Sequence, residues 1–410
     1  MSEDLEKKIE EHFKILIPKL VRHLQDDYER FEYELRPPNV FCVSSSYFVN
    51  LKFWLKGNNK SDKNKNVKTV RVFAKTAIAN EAVRTVTKLD IQFSNEIVFY
   101  KRYAKNEDCY PKCIYIEETM PYGATLILEN VADRGYSSHS KKTDLPLSDV
   151  LVAMKEIARF HAKGYIMKEN NSKEFFALLN EVQDSRFVLR DDNDHFLHLA
   201  NLTLRAVDYL KQINYDRKFC EVAEKVFKDT YHNVLLKAIV PVEPLATLCH
   251  GDFTVNNVLF KRDENDAESQ AMLIDFALLR YGSPAIDLST FLCLSCSRED
   301  RNVNFPKIMR TYHEELIACL DKAGIENLER FSYKALWNDY IEHGLFGFII
   351  AAFFLHILMG KLHMSLEELI VLDIEEFMRV NTESGGDEVS EILANMLVEL
   401  DKLGCLNNFL

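Results

Sequence analysis

The chain has 410 residues, 47% of them apolar, which is enough to bury a large core and predicts division into two lobes. Acidic residues outnumber basic ones by 63 to 51, and the formal charge of -12 argues against nonspecific binding to nucleic acid or to an anionic membrane. The nine cysteines are odd in number and scattered, and the charged stretch at residues 1–11 has no signal peptide, so reduced thiols and a cytoplasmic location are expected.

From the N-terminus, residues 3–30 carry helical periodicity through Ile9, Phe13, Leu16, Leu20 and Leu24, with Pro18 predicting a kink or break. Pro37 and Pro38 end this segment, and residues 1–36 read as an N-terminal helical piece. Two strands follow at 40–43 and 47–55, joined by Ser44, Ser45 and Ser46. The lysine-rich stretch 57–66 reads as a hairpin tip, and 67–75 resumes as a strand ending in Lys75. A helix over 93–103 places Glu96 on one face with Tyr100. In kinase folds a strand lysine grips the α- and β-phosphates and is held by a glutamate of the next helix, and Lys75 and Glu96 have that order and separation. Strands at 115–120 and 125–128 complete a small sheet. Residues 129–131 then form a hinge where the backbone of Glu129 and Val131 is placed to meet an adenine edge. The segment 147–161 is a well-patterned amphipathic helix in which His161 reads as a core histidine.

The chemistry concentrates in His250-Gly251-Asp252, with Asn257 five positions past that aspartate and Asp275 ending a second apolar run. Strands at 258–260 and 271–274 flank a polar tip at 261–270. A hydroxyl attacking the γ-phosphate of ATP needs a carboxylate to orient it and accept its proton, and Asp252 on a tight loop is the candidate. The triphosphate needs a divalent cation held by hard oxygen ligands, which Asn257 and Asp275 would supply to Mg2+. His250 reads as a loop brace. His-Gly-Asp alone is a common turn, and an aspartate ending a strand is often only a turn former. The conjunction of flanking strands and spacing raises the phosphotransferase reading above that alternative.

Only residues 276–286 separate Asp275 from Asp287, which opens an apolar helix over 288–296. That interval is too short for a peptide platform, so the expected substrate is a small hydroxylated molecule. Asp287 is expected to be an N-cap that also braces the catalytic loop. Cys293 and Cys296 lie inside the apolar run without a second pair at zinc-binding spacing, and read as small buried thiols. Residues 344–360 are almost wholly apolar, near the lower limit for a membrane span, but flanking amphipathic segments favour a buried central helix with no membrane span. Its phenylalanines would also suit the lining of a pocket for an apolar substrate.

The segments LCHGDFTVNNVLF and LIDFALLRYGSPAIDLSTFL, with VFAK, FSNEIVFY, LILENVADRGY and IARFHAKG upstream in order, closely resemble the ecdysteroid kinase-like proteins. These arthropod CHK kinase-like proteins lie within the aminoglycoside phosphotransferase and choline kinase group of the protein kinase-like superfamily. The resemblance covers about residues 38–360. It implies an α+β, protein kinase-like two-lobed fold: a small N-terminal antiparallel sheet with one main helix, over 37–131, and a large mostly helical lobe over 132–410. It implies ATP- and Mg2+-dependent phosphorylation of a hydroxyl on an ecdysteroid or another steroid-like or foreign secondary metabolite. Carried over by position, Asp252 is the catalytic base, Asn257 and Asp275 are the metal ligands, and Lys75 with Glu96 is the phosphate grip.

Two departures bear on this reading. No glycine occurs between Arg36 and Lys56, so Ser44, Ser45 and Ser46 must cover the phosphates with hydroxyls and amides. Thr254 stands where family members commonly carry tryptophan, which opens the acceptor pocket or marks lost activity. A catalytically silent nucleotide- or ligand-binding relative and a choline/ethanolamine-type kinase are the alternatives. Protein partners are not legible.

Overall fold

Helix α1 (Glu3–Leu24) runs straight through Pro18, and strand β1 (Tyr28–Arg36) follows it. Proline at 18 removes the donor to the carbonyl of Lys14, an exposed residue where water can replace it. The strand replaces the helix expected up to residue 30. Phe31 and Leu35 are four apart, a spacing that places two side chains on one face of either element. The remaining positions are mostly charged and exposed, as suits the edge strand that β1 forms.

The computed structural model describes residues 3–25, 27–38, 44–55, 67–105, 107–119, 123–187, 199–262 and 269–409. Contacts divide the chain into two units, Met1–Gly135 and Tyr136–Leu410, so residues 1–36 join the first unit and the boundary follows Gly135. The strand expected at 40–43 and the tip at 57–66 lie outside the described residues.

In the first unit, β2 (Ser45–Leu55), β3 (Val67–Thr76), β4 (Cys113–Glu117) and β5 (Thr125–Glu129) join β1 in an antiparallel sheet of order β1-β2-β3-β5-β4. Period-two alternation buries Tyr47, Val49, Leu51 and Phe53 of β2 with Val72 and Ala74 of β3. Ile9, Phe13, Leu16, Ile17, Leu20 and Val21 of α1 share this core. Burying each such side chain contributes roughly 1.5–3 kcal/mol, which makes α1 an integral part of the unit. Because Ala74 points into that core, its neighbour Lys75 points to the opposite face, toward α2 (Glu81–Thr87) and α3 (Leu89–Val98).

The second unit is mostly helical. Helix α4 (Leu147–Asn170) extends nine residues past the expected end at 161. Gly164 lets it approach β7 (Thr247–Cys249) closely, for a Cβ there would lie 2.4 Å from Thr247 Oγ1. Strand β7 pairs antiparallel with β10 (Arg280–Gly282), and β8 (Val258–Lys261) pairs with β9 (Gln270–Leu273) and with the short β6 (Ser137–Ser138). The apolar run at 344–360 forms the helix Leu345–Leu358, largely buried against the fully buried helix Ala285–Ser295. Among the described residues no single helix is long and apolar enough to cross a membrane. Cys293 and Cys296 are buried thiols outside any disulfide. The whole is α+β, with a small antiparallel N-terminal sheet and a large helical C-terminal part.

Candidate active site

The first unit joins two of the expected residues directly. Lys75 Nζ lies 2.5 Å from Glu96 Oε2, and both side chains are buried. The pair links the end of β3 to the C-terminal part of α3. Ser46 stands opposite Lys75 in the β2–β3 register, and Ser44 Oγ lies 3.4 Å from Ser46 Oγ. Ser45 is committed elsewhere, since its hydroxyl donates to the Ile78 carbonyl at 2.6 Å and its own carbonyl accepts from Thr76 Oγ1. Of the three serines expected over the phosphates, Ser44 and Ser46 retain hydroxyls on the Lys75 side, while the Ser45 hydroxyl serves structure.

Glu129 ends β5. Its N–H donates to the Lys112 carbonyl, and its carboxylate accepts from Lys112 N and Arg134 Nη1. Asn130 caps the single 3-10 turn Val131–Arg134 by accepting from Ala132 N, and Gly135 closes that turn with φ of +87°.

In the second unit the His250–Asp252 loop is gripped by one carboxylate. Asp287 accepts from His250 N at 2.7 Å, from Gly251 N at 2.8 Å and from His161 Nε2 at 2.9 Å, and its side chain is fully buried. The expected N-cap role fails, because the helix begins at Ala285 after Pro284, which puts Asp287 inside the first turn. Ser283 Oγ accepts from Ala285 N at this end, and Asp287 is free to reach back to the loop. Gly251 has φ of +80°, and a Cβ there would sit 1.8 Å from the Leu278 carbonyl oxygen, so only glycine fits.

His250 braces the same loop as the sequence suggests. Its Nδ1 accepts from Asp252 N and its Nε2–H donates to the Ile274 carbonyl at 3.0 Å, which assigns the neutral tautomer. Its ring also packs on Phe276, 5.0 Å between centroids. His161, the core histidine, is bonded on both nitrogens, to Asp287 and to Tyr312 Oη. The neighbouring Cys249 thiol donates to the Gly282 and Ser283 carbonyls, and burial pushes it well up. His161, Cys249 and Asp287 bring their ligand atoms within 4.8 Å of one another, and each is already bonded within the protein.

Asn257 Nδ2 donates to Asp252 Oδ2 at 2.8 Å and to the Asp252 carbonyl at 2.9 Å. With that nitrogen committed, Oδ1 is the acceptor left for a cation. The Asn257 carbonyl accepts from Ile274 N, so the residue before Asp275 is tied to Asn257. Asp275 adopts φ of +65°, a left-handed conformation that aspartate tolerates better than most non-glycine residues. An amide oxygen and a carboxylate form a hard donor set that fits Mg2+. Partial burial pushes the Asp252 carboxyl above its ordinary range. The Arg186 guanidinium pulls it down, and the Asp275 charge adds to the rise.

Arg186 was not anticipated from the sequence. Its Nη1 lies 3.8 Å from Asp252 Oδ1, though 66 positions separate them in the chain. No local periodicity marks residues 184–187, and a lone arginine between polar segments carries no spatial signal. Thr254 is buried and heads the 3-10 turn Val255–Asn257, where its carbonyl accepts from Asn257 N.

The chain is matched by the model of the ecdysteroid kinase-like family over residues 43–325. No curated protein matches it. Among solved structures it is similar to a Plasmodium vivax ethanolamine kinase at 13% identity, covering 85% of this chain and 80% of that one with a TM-score of 0.39. A microcompartment-associated aminopropanol kinase is similar at 11% identity, with 95% and 98% covered and a TM-score of 0.48. A choline/ethanolamine kinase family protein from Mesorhizobium loti is similar at 14% identity, with 88% and 92% covered and a TM-score of 0.32. With more than half its length matched by the family model, the chain belongs to the ecdysteroid kinase-like family and is a phosphotransferase of the small-molecule kinase kind.

Proposed function

We propose that the protein transfers the γ-phosphoryl group of ATP to a hydroxyl of a small molecule, an ecdysteroid or another steroid-like or foreign secondary metabolite. The observation that carries this reading is the Asp252 carboxylate fixed by Asn257, on a loop whose amides are clamped by Asp287. A base held this rigidly pays little reorganisation when it orients an attacking hydroxyl.

In this reading Asp252 accepts the acceptor's proton, and its raised pKa strengthens it as a base. Asn257 and Asp275 hold Mg2+, which when bound neutralises charge on the transferring phosphoryl oxygens. Lys75, oriented by Glu96, holds the α- and β-phosphates, and Ser44 and Ser46 add hydroxyl contacts to the nucleotide. Glu129 and Val131 meet the adenine edge through the backbone. The interval from Asp275 to the helix at Ala285 holds only β10 and its turns, with no platform for a peptide. A cytoplasmic location accords with the free thiols of the described cysteines.

Asp252→Asn tests the assignment. It keeps a hydrogen-bonding partner for Asn257 but removes the base, and the rate of ADP release should fall by about 10²- to 10⁴-fold. Thermal stabilisation by Mg-ATP should persist. Equal turnover in variant and parent, measured with any accepted alcohol, sinks the assignment.

A further inference from the structure

The turn Asp184–Phe187 delivers a positive charge to the catalytic carboxylate, and three elements hold it there. Asp184 Oδ1 accepts from both Arg186 N and Phe187 N at 2.9 Å, a tight Asx-type turn. Asp184 Oδ2 pairs with Arg280 Nη2 at 3.2 Å. Arg280 belongs to β10, where it stands opposite Cys249 at the end of β7, immediately before His250. The same strand pair that leads into the catalytic loop therefore anchors the turn.

The surroundings are aromatic as well as cationic. The Arg186 guanidinium lies 5.6 Å from the centre of the Phe354 ring, and the Arg280 guanidinium lies 5.3 Å from that of Phe187. Phe187 packs edge-on against Phe346 at 5.5 Å, so the apolar helix Leu345–Leu358 reaches this region. Two buried polar atoms here, Ser185 Oγ and Arg280 Nε, have no hydrogen-bond partner among the described residues.

The charges near Asp252 divide unevenly. Asp184 is committed to Arg280 and to two amides, and Asp275 to the proposed cation. Among the described residues, the cation an acceptor entering beside Asp252 would meet is Arg186, with the Phe354 ring beside it. An ammonium group in that place would be repelled by the guanidinium, whereas an uncharged or anionic group would not.

We propose that Arg186 determines acceptor charge: the site takes hydroxyl compounds that are neutral or anionic and have a flat apolar body, and rejects amino alcohols. This rests on the phosphotransferase reading above, since it takes Asp252 as the point where the acceptor hydroxyl arrives. It turns the aromatic run at 344–360 into one wall of the acceptor site through Phe354, with Phe346 buried behind Phe187. It also sets the chain apart from a kinase that recognises a quaternary or primary amine through an anionic cage.

The experiment uses three benzyl alcohols that differ only at the para position: carboxylate, methyl and aminomethyl. Binding to the full chain is measured by calorimetry, and ADP release is measured on the same samples with Mg-ATP. The parent should bind the carboxylate and methyl compounds at least about ten-fold more tightly than the aminomethyl compound. Arg186→Gln should collapse that ratio at an unchanged melting temperature, and Arg186→Glu should invert it. In turnover the difference between the three compounds should collapse in KM for the acceptor, while loss of the guanidinium beside Asp252 changes kcat for all three alike. Tighter or equal binding of the aminomethyl compound by the parent overturns the proposal. A ratio that Arg186→Gln leaves unchanged overturns it too, as does failure of all three compounds to bind. Arg186-dependent binding without ADP release from any of them leaves this inference standing and removes the kinase reading.

Discussion

The first unit and the second hold their expected site residues on opposite plans. In the first unit one side-chain ion pair, Lys75 with Glu96, fixes the critical group, and it is buried between a strand and a helix. In the second unit the backbone itself is clamped: Asp287 takes two loop amides, Gly251 bends where no other residue fits, and Asp275 sits in a left-handed conformation. An ion pair orients one side chain, whereas a loop gripped by its amides has its backbone shape fixed before any ligand arrives.

The contrast breaks most visibly at Asp287. Asp287→Ala leaves two buried amides and His161 Nε2 without an acceptor, at a cost of about 3–5 kcal/mol in urea unfolding. Asp287→Asn keeps one acceptor oxygen and should cost less. A loss below about 1 kcal/mol for the alanine variant would mean that the loop is held by something other than this carboxylate.

Acid should separate the two units next. His356, in the buried helix Leu345–Leu358, is fully buried, and neither ring nitrogen has a partner among the described residues. Burial lowers its pKa to about 4, with the Arg205 charge acting in the same direction. Since the unfolded chain takes up this proton near 6.5 and the folded one only near 4, the second unit loses stability as pH falls through that window. The loss reaches the order of 3 kcal/mol at its lower end. In the first unit His12 is also pulled below its usual value by burial, but it is only half-buried and bonds Thr125 Oγ1 at 2.8 Å. Hydrogen exchange at pH 5 should therefore speed up first in the second unit, and His356→Leu should remove much of that acceleration. Equal acceleration in both units would assign the acid sensitivity to other groups.

The sequence was most legible where the chemistry is contiguous. His250, Asp252 and Asn257 lie within eight positions, and their flanking β-formers could be read directly, so loop and strands were visible together. Lys75 and Glu96 are 21 positions apart, and only the order of strand and helix joined them. What could not be read has physical causes. Strand β1 is a charged edge strand whose two best apolar positions fit a helix equally well. Asp287 was placed at a cap because the true start at Ala285 is set by Pro284 and by the Ser283 hydroxyl, which no apolar period marks. The Asp184–Phe187 turn reaches Asp252 through tertiary pairing with Arg280, and pairwise contact over such a distance leaves no trace in a single sequence.

The smallest expected effect is also the one that best sharpens the contrast, because it separates holding from gripping at Lys75. Lys75→Met leaves the Glu96 carboxylate buried opposite an apolar side chain, so the first unit should lose stability. The double variant Lys75→Met with Glu96→Gln removes both charges and should recover much of that loss. If the pair serves only to hold β3 against α3, KM for Mg-ATP follows stability and is restored in the double variant. If Lys75 grips phosphate, each variant loses charge-assisted hydrogen bonds worth about 1.5–3 kcal/mol, and KM for Mg-ATP rises by about ten- to a hundred-fold in both. Recovery of stability with no recovery of KM is the expected result. Recovery of both would make the ion pair a fastener of the sheet and move the phosphate grip to Ser44 and Ser46, whose hydroxyls lie on the same side of the strand pair.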